Sequence, residues 1–218
     1  MFDPQEKRTQ FSWSWQAVRY RYRICSECND EFKALLANAS ESWRMGVGDE
    51  ELTYNIERST YIFFMSALSV FDSFSFCLYF LGNAIRPAAF PEVANPRNIT
   101  RDITSKALNA AFGEASITAL LAELRTDPGF AAIYEVRNLL GHRLSGRRSV
   151  RTSSTVGQGL IETNWQEDIW YLPGSTRKLT FDTELLQRHL NDISRLLIAL
   201  SIAARQFAET QKRAAAPA

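Results

Sequence analysis

Arg137, Asn138 and His142 fall within the seven-residue stretch RNLLGHR, and His142 is one of only two histidines in the chain. An imidazole titrates near neutral pH, so it exchanges protons under ordinary conditions. A guanidinium is a permanent planar cation whose N–H fork matches phosphate oxygens. Together they suit phosphate-ester chemistry. The imidazole takes a proton from a ribose 2′-hydroxyl or gives one to a leaving 5′-oxygen. The guanidinium neutralises charge on the phosphorane, and the asparagine amide holds either group in place. These groups require no metal ion.

The stretch reads as helix, and at 100° per residue the three side chains cover one arc of roughly 140°. Gly141 costs about 1 kcal/mol relative to alanine inside a helix, and its missing side chain leaves room for a close neighbour. A purely structural reading uses the same residues. In it Arg137 pairs with Glu135 or Glu123, and His142 is a cation at a helix C-terminus, favourable to the dipole. Downstream, Arg143, Arg147, Arg148 and Arg151 join His142 in one ten-residue window. That run is either a local patch for an RNA backbone or a solvated loop. A net charge of +1 supplies no global attraction to a polyanion, so such a patch would have to do the holding.

The elements that position these residues follow from apolar spacing. Trp15, Val18, Tyr22, Cys25, Phe32, Leu35 and Leu36 mark a helix ending near Asn38, with a weak competing strand signal in RYRYR. After Gly46 and Gly48, Asp49 caps a long helix whose stripe runs from Leu52 to Leu81 and stops around Gly82 and Asn83. Residues 86–101, with Pro87, Pro91 and Pro96, read as a loop. Short helices are expected over 105–112 and 115–124. Asp127 and Pro128 then cap and open the motif helix, with Phe130, Ile133, Tyr134, Val136, Leu139 and Leu140 as its core contacts. Residues 145–159 read as an exposed loop, 168–172 and 177–181 as a small hairpin, and a last helix runs from about 182 past Phe207. The expectation is one all-α domain over 1–218 with its core at about 13–207. It is a bundle of three long and several short helices, with a basic loop and hairpin over 145–181.

Several classes are set aside on residue grounds. Cys25, Cys28 and Cys77 do not form a disulfide framework, and no signal peptide precedes them, so a reducing cytoplasm is expected. Cys25 and Cys28 form a lone CxxC without a nearby histidine, which places them in the core and gives neither a zinc site nor any other cofactor. The apolar run 61–81 is long enough to span a membrane, but Asp72 lies in its middle and serines interrupt it, so a buried helix is expected. That carboxylate needs an arginine or histidine partner, unless it lies on the polar edge of the helix. His189 faces the apolar side of the last helix and reads as structural. Trp165, Trp170 and Tyr171 either stack bases or pack the hairpin.

Arginine followed by a polar residue, with a histidine a few residues on, on a late helix of an α-bundle, resembles the HEPN superfamily of nucleotide-binding proteins and ribonucleases. Here the match is Arg137, Asn138 and His142, and the helix order agrees over roughly 13–207. The resemblance implies a homodimer in which two motifs form one metal-independent RNA-cleaving cleft. It also implies an acidic residue on the second long helix, for which Asp72 is the candidate, with Ser69 one turn away. A toxin or defence effector, with a possible antitoxin protein as partner, is the role it suggests; a non-catalytic module binding a nucleotide or a protein is the alternative.

Overall fold

The computed structural model describes residues 4–44, 50–91, 95, 98–113, 115–141, 147–157, 160–171, 178–180 and 182–214. The chain is predominantly helical. Its α-helices are α1 (Pro4–Arg44), α2 (Glu50–Ile85), α3 (Arg101–Phe112), α4 (Ser116–Glu123), α5 (Pro128–Gly141) and α6 (Leu185–Ala214), with a 3-10 turn at Pro87–Ala89. Between α5 and α6 lie β1 (Arg147–Gly157), β2 (Leu160–Tyr171) and β3 (Lys178–Thr180), antiparallel in the order β1-β2-β3.

The chain divides into two compact units. The first comprises Met1–Arg23, Ala67–Ala131 and Asp192–Ala218, the second Ile24–Ser66 and Ala132–Asn191. The first unit buries an aromatic core of Phe71, Phe74, Tyr79, Phe90 and Phe130, with Leu108, Ile117 and Ile193. The second buries Cys25, Phe32, Ile56, Phe63, Phe64, Ile133, Leu185 and Leu186.

α1 keeps its three- and four-residue spacing of buried positions from Val18 through Cys25, Cys28, Phe32, Leu36 and Ala39. It runs on to Arg44, past the end expected near Asn38, because no glycine or proline interrupts it before Gly46. The RYRYR alternation lies inside this helix, with Tyr20 exposed. α2 opens on Glu50 and Glu51, whose charges suit the dipole at an N-terminus. It does not stop at Gly82 and Asn83 but continues to Ile85. Gly82 serves a different purpose: a Cβ there would run into the ring of buried Phe90. The Asn83 amide donates to the Phe90 carbonyl, and the Tyr79 hydroxyl donates to the Pro91 carbonyl at 2.6 Å. The loop after α2 is thereby held against the helix.

α3 begins at Arg101 and not at Ser105, because the Thr100 hydroxyl accepts from the Ile103 amide as an N-cap. It ends at Gly113, whose positive φ of 61° is a backbone conformation that glycine adopts without steric cost. The expected exposed loop over 145–159 is also corrected, since 147–157 form β1. Its Val150, Thr152, Thr155 and Val156 are β-prone, and only residues 158 and 159 separate it from β2. The ladder runs from Arg147 opposite Tyr171 to Gly157 opposite Leu160, with an irregularity between Ser149 and Arg151.

By length and composition α2 could cross a membrane, although most of its apolar stretch is buried within the protein.

Candidate functional site

The motif helix α5 is fixed at its start. The Asp127 carboxylate accepts the backbone amides of Gly129 and Phe130 at 2.9 and 3.1 Å, satisfying donors a helix N-terminus leaves open. Arg195 of α6 grips the same carboxylate through both oxygens, at 3.0 and 2.8 Å, and lies 3.5 Å from Asp192. Partial burial pushes the Asp127 pKa up, but the Arg195 bond and the two backbone amides outweigh it and leave the group below its ordinary value. The Arg195 guanidinium is correspondingly raised. A side chain at Gly129 would collide with the Asp192 carboxylate, so the close approach of α6 requires glycine there.

Beyond this anchor α5 buries Phe130, Ala132, Ile133 and Val136. Tyr134, expected in the core, is 46% exposed, and Leu139 and Leu140 are only partly buried. Arg137 and Asn138 are partly exposed, and the Arg137 guanidinium donates to the Asn138 side-chain carbonyl at 3.1 Å. Among the described residues Arg137 has no carboxylate partner, so the expected alternatives Glu135 and Glu123 do not hold it. Among the described residues nothing lies within 4 Å of a Cβ placed at Gly141, so that side of the helix is open. His142 and Arg143 lie outside the described residues.

Arg147, Arg148 and Arg151 lie on β1, in register with Tyr171, Trp170 and Gln166 of β2, and Trp165 stands opposite Thr152. The ladder thus pairs basic with aromatic positions at Arg147 and Arg148.

Asp72 belongs to the first unit, whereas Arg137 and Asn138 belong to the second. Its partner is Arg101, whose Nε lies 3.0 Å from Oδ1, and its side chain is 54% exposed. The apolar stripe of α2 therefore runs beside Asp72 and not over it. The Arg101 guanidinium also lies 4.7 Å above the Phe130 ring, an arrangement the ring quadrupole favours. Phe130 in turn meets Phe71 edge to face at 5.2 Å.

His189 is buried with its ring 5.1 Å from Phe64, edge to face, which is a packing role. Cys25, Cys28 and Cys77 are free and buried. Burial pushes all three thiols up, Cys77 to about 12, so they stay protonated and poor as nucleophiles or ligands. Among the described residues no three His, Cys, Asp or Glu side chains cluster to hold a metal ion.

Sequence reasoning missed Arg101 and Arg195. Neither carries a local motif, because their partners, Asp72 and Asp127, are far away in sequence. Comparisons with protein-family models, curated proteins and solved structures give no match to this chain.

Proposed function

We propose that the chain is a HEPN-like, metal-independent endoribonuclease that works as a cytoplasmic homodimer and cleaves RNA by attack of a ribose 2′-hydroxyl on the adjacent phosphate. His142 is the acid or base, Arg137 stabilises the phosphorane, and Asn138 orients either the guanidinium or the phosphate. Arg143, Arg147, Arg148 and Arg151 hold the RNA backbone. Asp72, paired with Arg101, is kept as the acidic residue of the second long helix that this reading calls for. The frame is a helical bundle with a small β insertion before α6. A toxin or defence role, with an antitoxin protein as partner, goes with this reading.

The observation that carries it is the Arg137–Asn138 pair. The guanidinium is partly exposed, held by a neutral neighbour, and without a carboxylate among the described residues to neutralise it. A guanidinium has five N–H donors, so one bond to Asn138 leaves the others for phosphate oxygens. A structural arginine of a surface helix would more typically spend its charge on a nearby acid.

The test is incubation of the purified chain with RNA in EDTA. Cleavage leaving 2′,3′-cyclic phosphate ends is expected. Arg137→Ala and His142→Ala proteins that keep their helical circular dichroism should lose roughly 100-fold or more in rate. Wild-type rates in either variant refute the assignment. Tight RNA binding without turnover would support the non-catalytic module instead.

A further inference from the structure

Within the first unit α1 and α2 run antiparallel. The Cys77 thiol faces the Phe11 carbonyl at 3.8 Å, Trp15 lies 6.1 Å from Phe74, and the Arg21 guanidinium donates to the Ser73 hydroxyl. Along one flank of this pairing is an open groove of about 530 Å³, whose walls include Trp13, Arg21, Ser69, Asp72, Phe76 and Ile99. Its composition is unusual for a gap between packed helices. Trp13 is 60% exposed although Ser14 and Val18 beside it on α1 are buried. The indole therefore contributes little to the core, and it lines the groove. The Asp72 carboxylate lines the same groove, more than half exposed and paired with Arg101.

We propose that this groove binds a guanine base. An exposed indole is a platform for any base, since every base has a π-face. The carboxylate makes the choice. A carboxylate offers about four lone-pair sites, so Asp72 retains acceptor capacity beyond its Arg101 contact. Guanine is the base whose ring N–H and exocyclic amine are adjacent donors, and it meets a carboxylate with two parallel hydrogen bonds. Adenine and cytosine place an unprotonated ring nitrogen beside their amine, which the anion repels. Uracil sets its single N–H between two carbonyls. At 1.5 Å per residue Arg21 lies about 12 Å along α1 from Trp13, on the scale of a nucleotide from base to phosphate. Its guanidinium is held by Ser73 and keeps further donors for that phosphate. Gln10 lines the same groove and adds a polar group for the ribose.

Asp72 is shared with the cleavage reading, but Trp13 is not, and the groove does not include Arg137, so Trp13→Leu and Arg137→Ala distinguish the two. The ligand is either a free guanine nucleotide or a guanine within single-stranded RNA, and the experiment separates them. Calorimetric titrations of the full chain compare guanosine, inosine and adenosine 5′-monophosphates and a pentaribonucleotide of four uridines around one guanosine. The guanosine nucleotide should bind at least about tenfold more tightly than the adenosine nucleotide, with inosine between them for want of the exocyclic amine. Trp13→Leu should weaken every base by about tenfold. Asp72→Asn should remove the guanine preference while leaving adenosine binding within about twofold. Tighter binding of the mononucleotide identifies a free nucleotide as the ligand, and tighter binding of the pentamer identifies RNA. Equal affinity for the guanosine and adenosine nucleotides, or a guanine preference that survives Asp72→Asn, overturns the proposal. Both side chains are exposed, so unchanged circular dichroism is expected and confirms that the variants are folded. RNA cleavage by Trp13→Leu and guanine binding by Arg137→Ala then report on the two readings separately.

Discussion

Two helical glycines, Gly82 and Gly141, meet opposite surroundings, and one added methyl group separates them. At Gly82 the methyl would strike the Phe90 ring, which is fully buried and cannot swing away. Gly82→Ala should destabilise the protein by about 1–3 kcal/mol through overpacking. At Gly141 the methyl meets open space and φ is not positive, so Gly141→Ala should be neutral to stabilising, by up to about 1 kcal/mol, from helix propensity alone. Urea midpoints of the two variants should therefore move in opposite directions. A loss at Gly141 as large as that at Gly82 would show that a close neighbour does lie against it. None of this could be read from the chain, because a glycine's purpose depends on what approaches it. Phe90 approaches Gly82 from a loop eight residues downstream. Tyr134 shows the same gap. Its spacing with Phe130 and Ile133 fits a buried face, yet the ring sits at the edge of that face and is nearly half exposed. Arg137 and Asn138 were legible because they are neighbours in sequence and their contact needs no tertiary information.

At the scale of the element, α5 depends on its first turn. Asp127 caps the helix and takes Arg195 from α6, so Asp127→Ala should cost about 1–2 kcal/mol, chiefly as a lost cap, since the Arg195 guanidinium is half exposed and keeps Asp192. The pH dependence has a definite sign. The folded Asp127 pKa lies below its ordinary value of 3.8, so its contribution is complete above 3.8 and is lost as pH falls through the lower folded value. The difference in Tm between wild type and Asp127→Asn should be steady from pH 7 to 5 and shrink below pH 3.8. A difference that grows on acidification contradicts this account. The Asp127–Pro128 start was legible because capping chemistry is local. The start of α3 was hidden by the prolines before it, although Thr100 carries the same kind of signal. β1 was hidden by its serines, glycines and arginines, and became a strand through pairing with β2, which no local window contains.

For the molecule as a whole, helical class follows from three-and-four periodicity, but division into units does not. The boundaries fall inside α1, α2, α5 and α6, and in α1, α2 and α6 no glycine or proline lies near them. The buried thiols supply a readout for each unit, with Cys77 in the first and Cys25 and Cys28 in the second. In native buffer all three should react with a thiol reagent far more slowly than an exposed cysteine, since burial both shields them and keeps them protonated. Because four continuous helices belong to both units, labelling located by mass spectrometry should rise at the same urea concentration for all three positions. Reaction of Cys77 well before the other two would show that the first unit opens alone.

The exposure of Trp13 also has an optical consequence. Its indole is 60% open to solvent, against 37% for Trp15. Its fluorescence should lie to the red of that of Trp15 and fade before it under an aqueous quencher such as acrylamide. A base stacked on the indole would darken it further and shield it from the quencher, so the groove carries its own dye and its occupancy can be followed without a label.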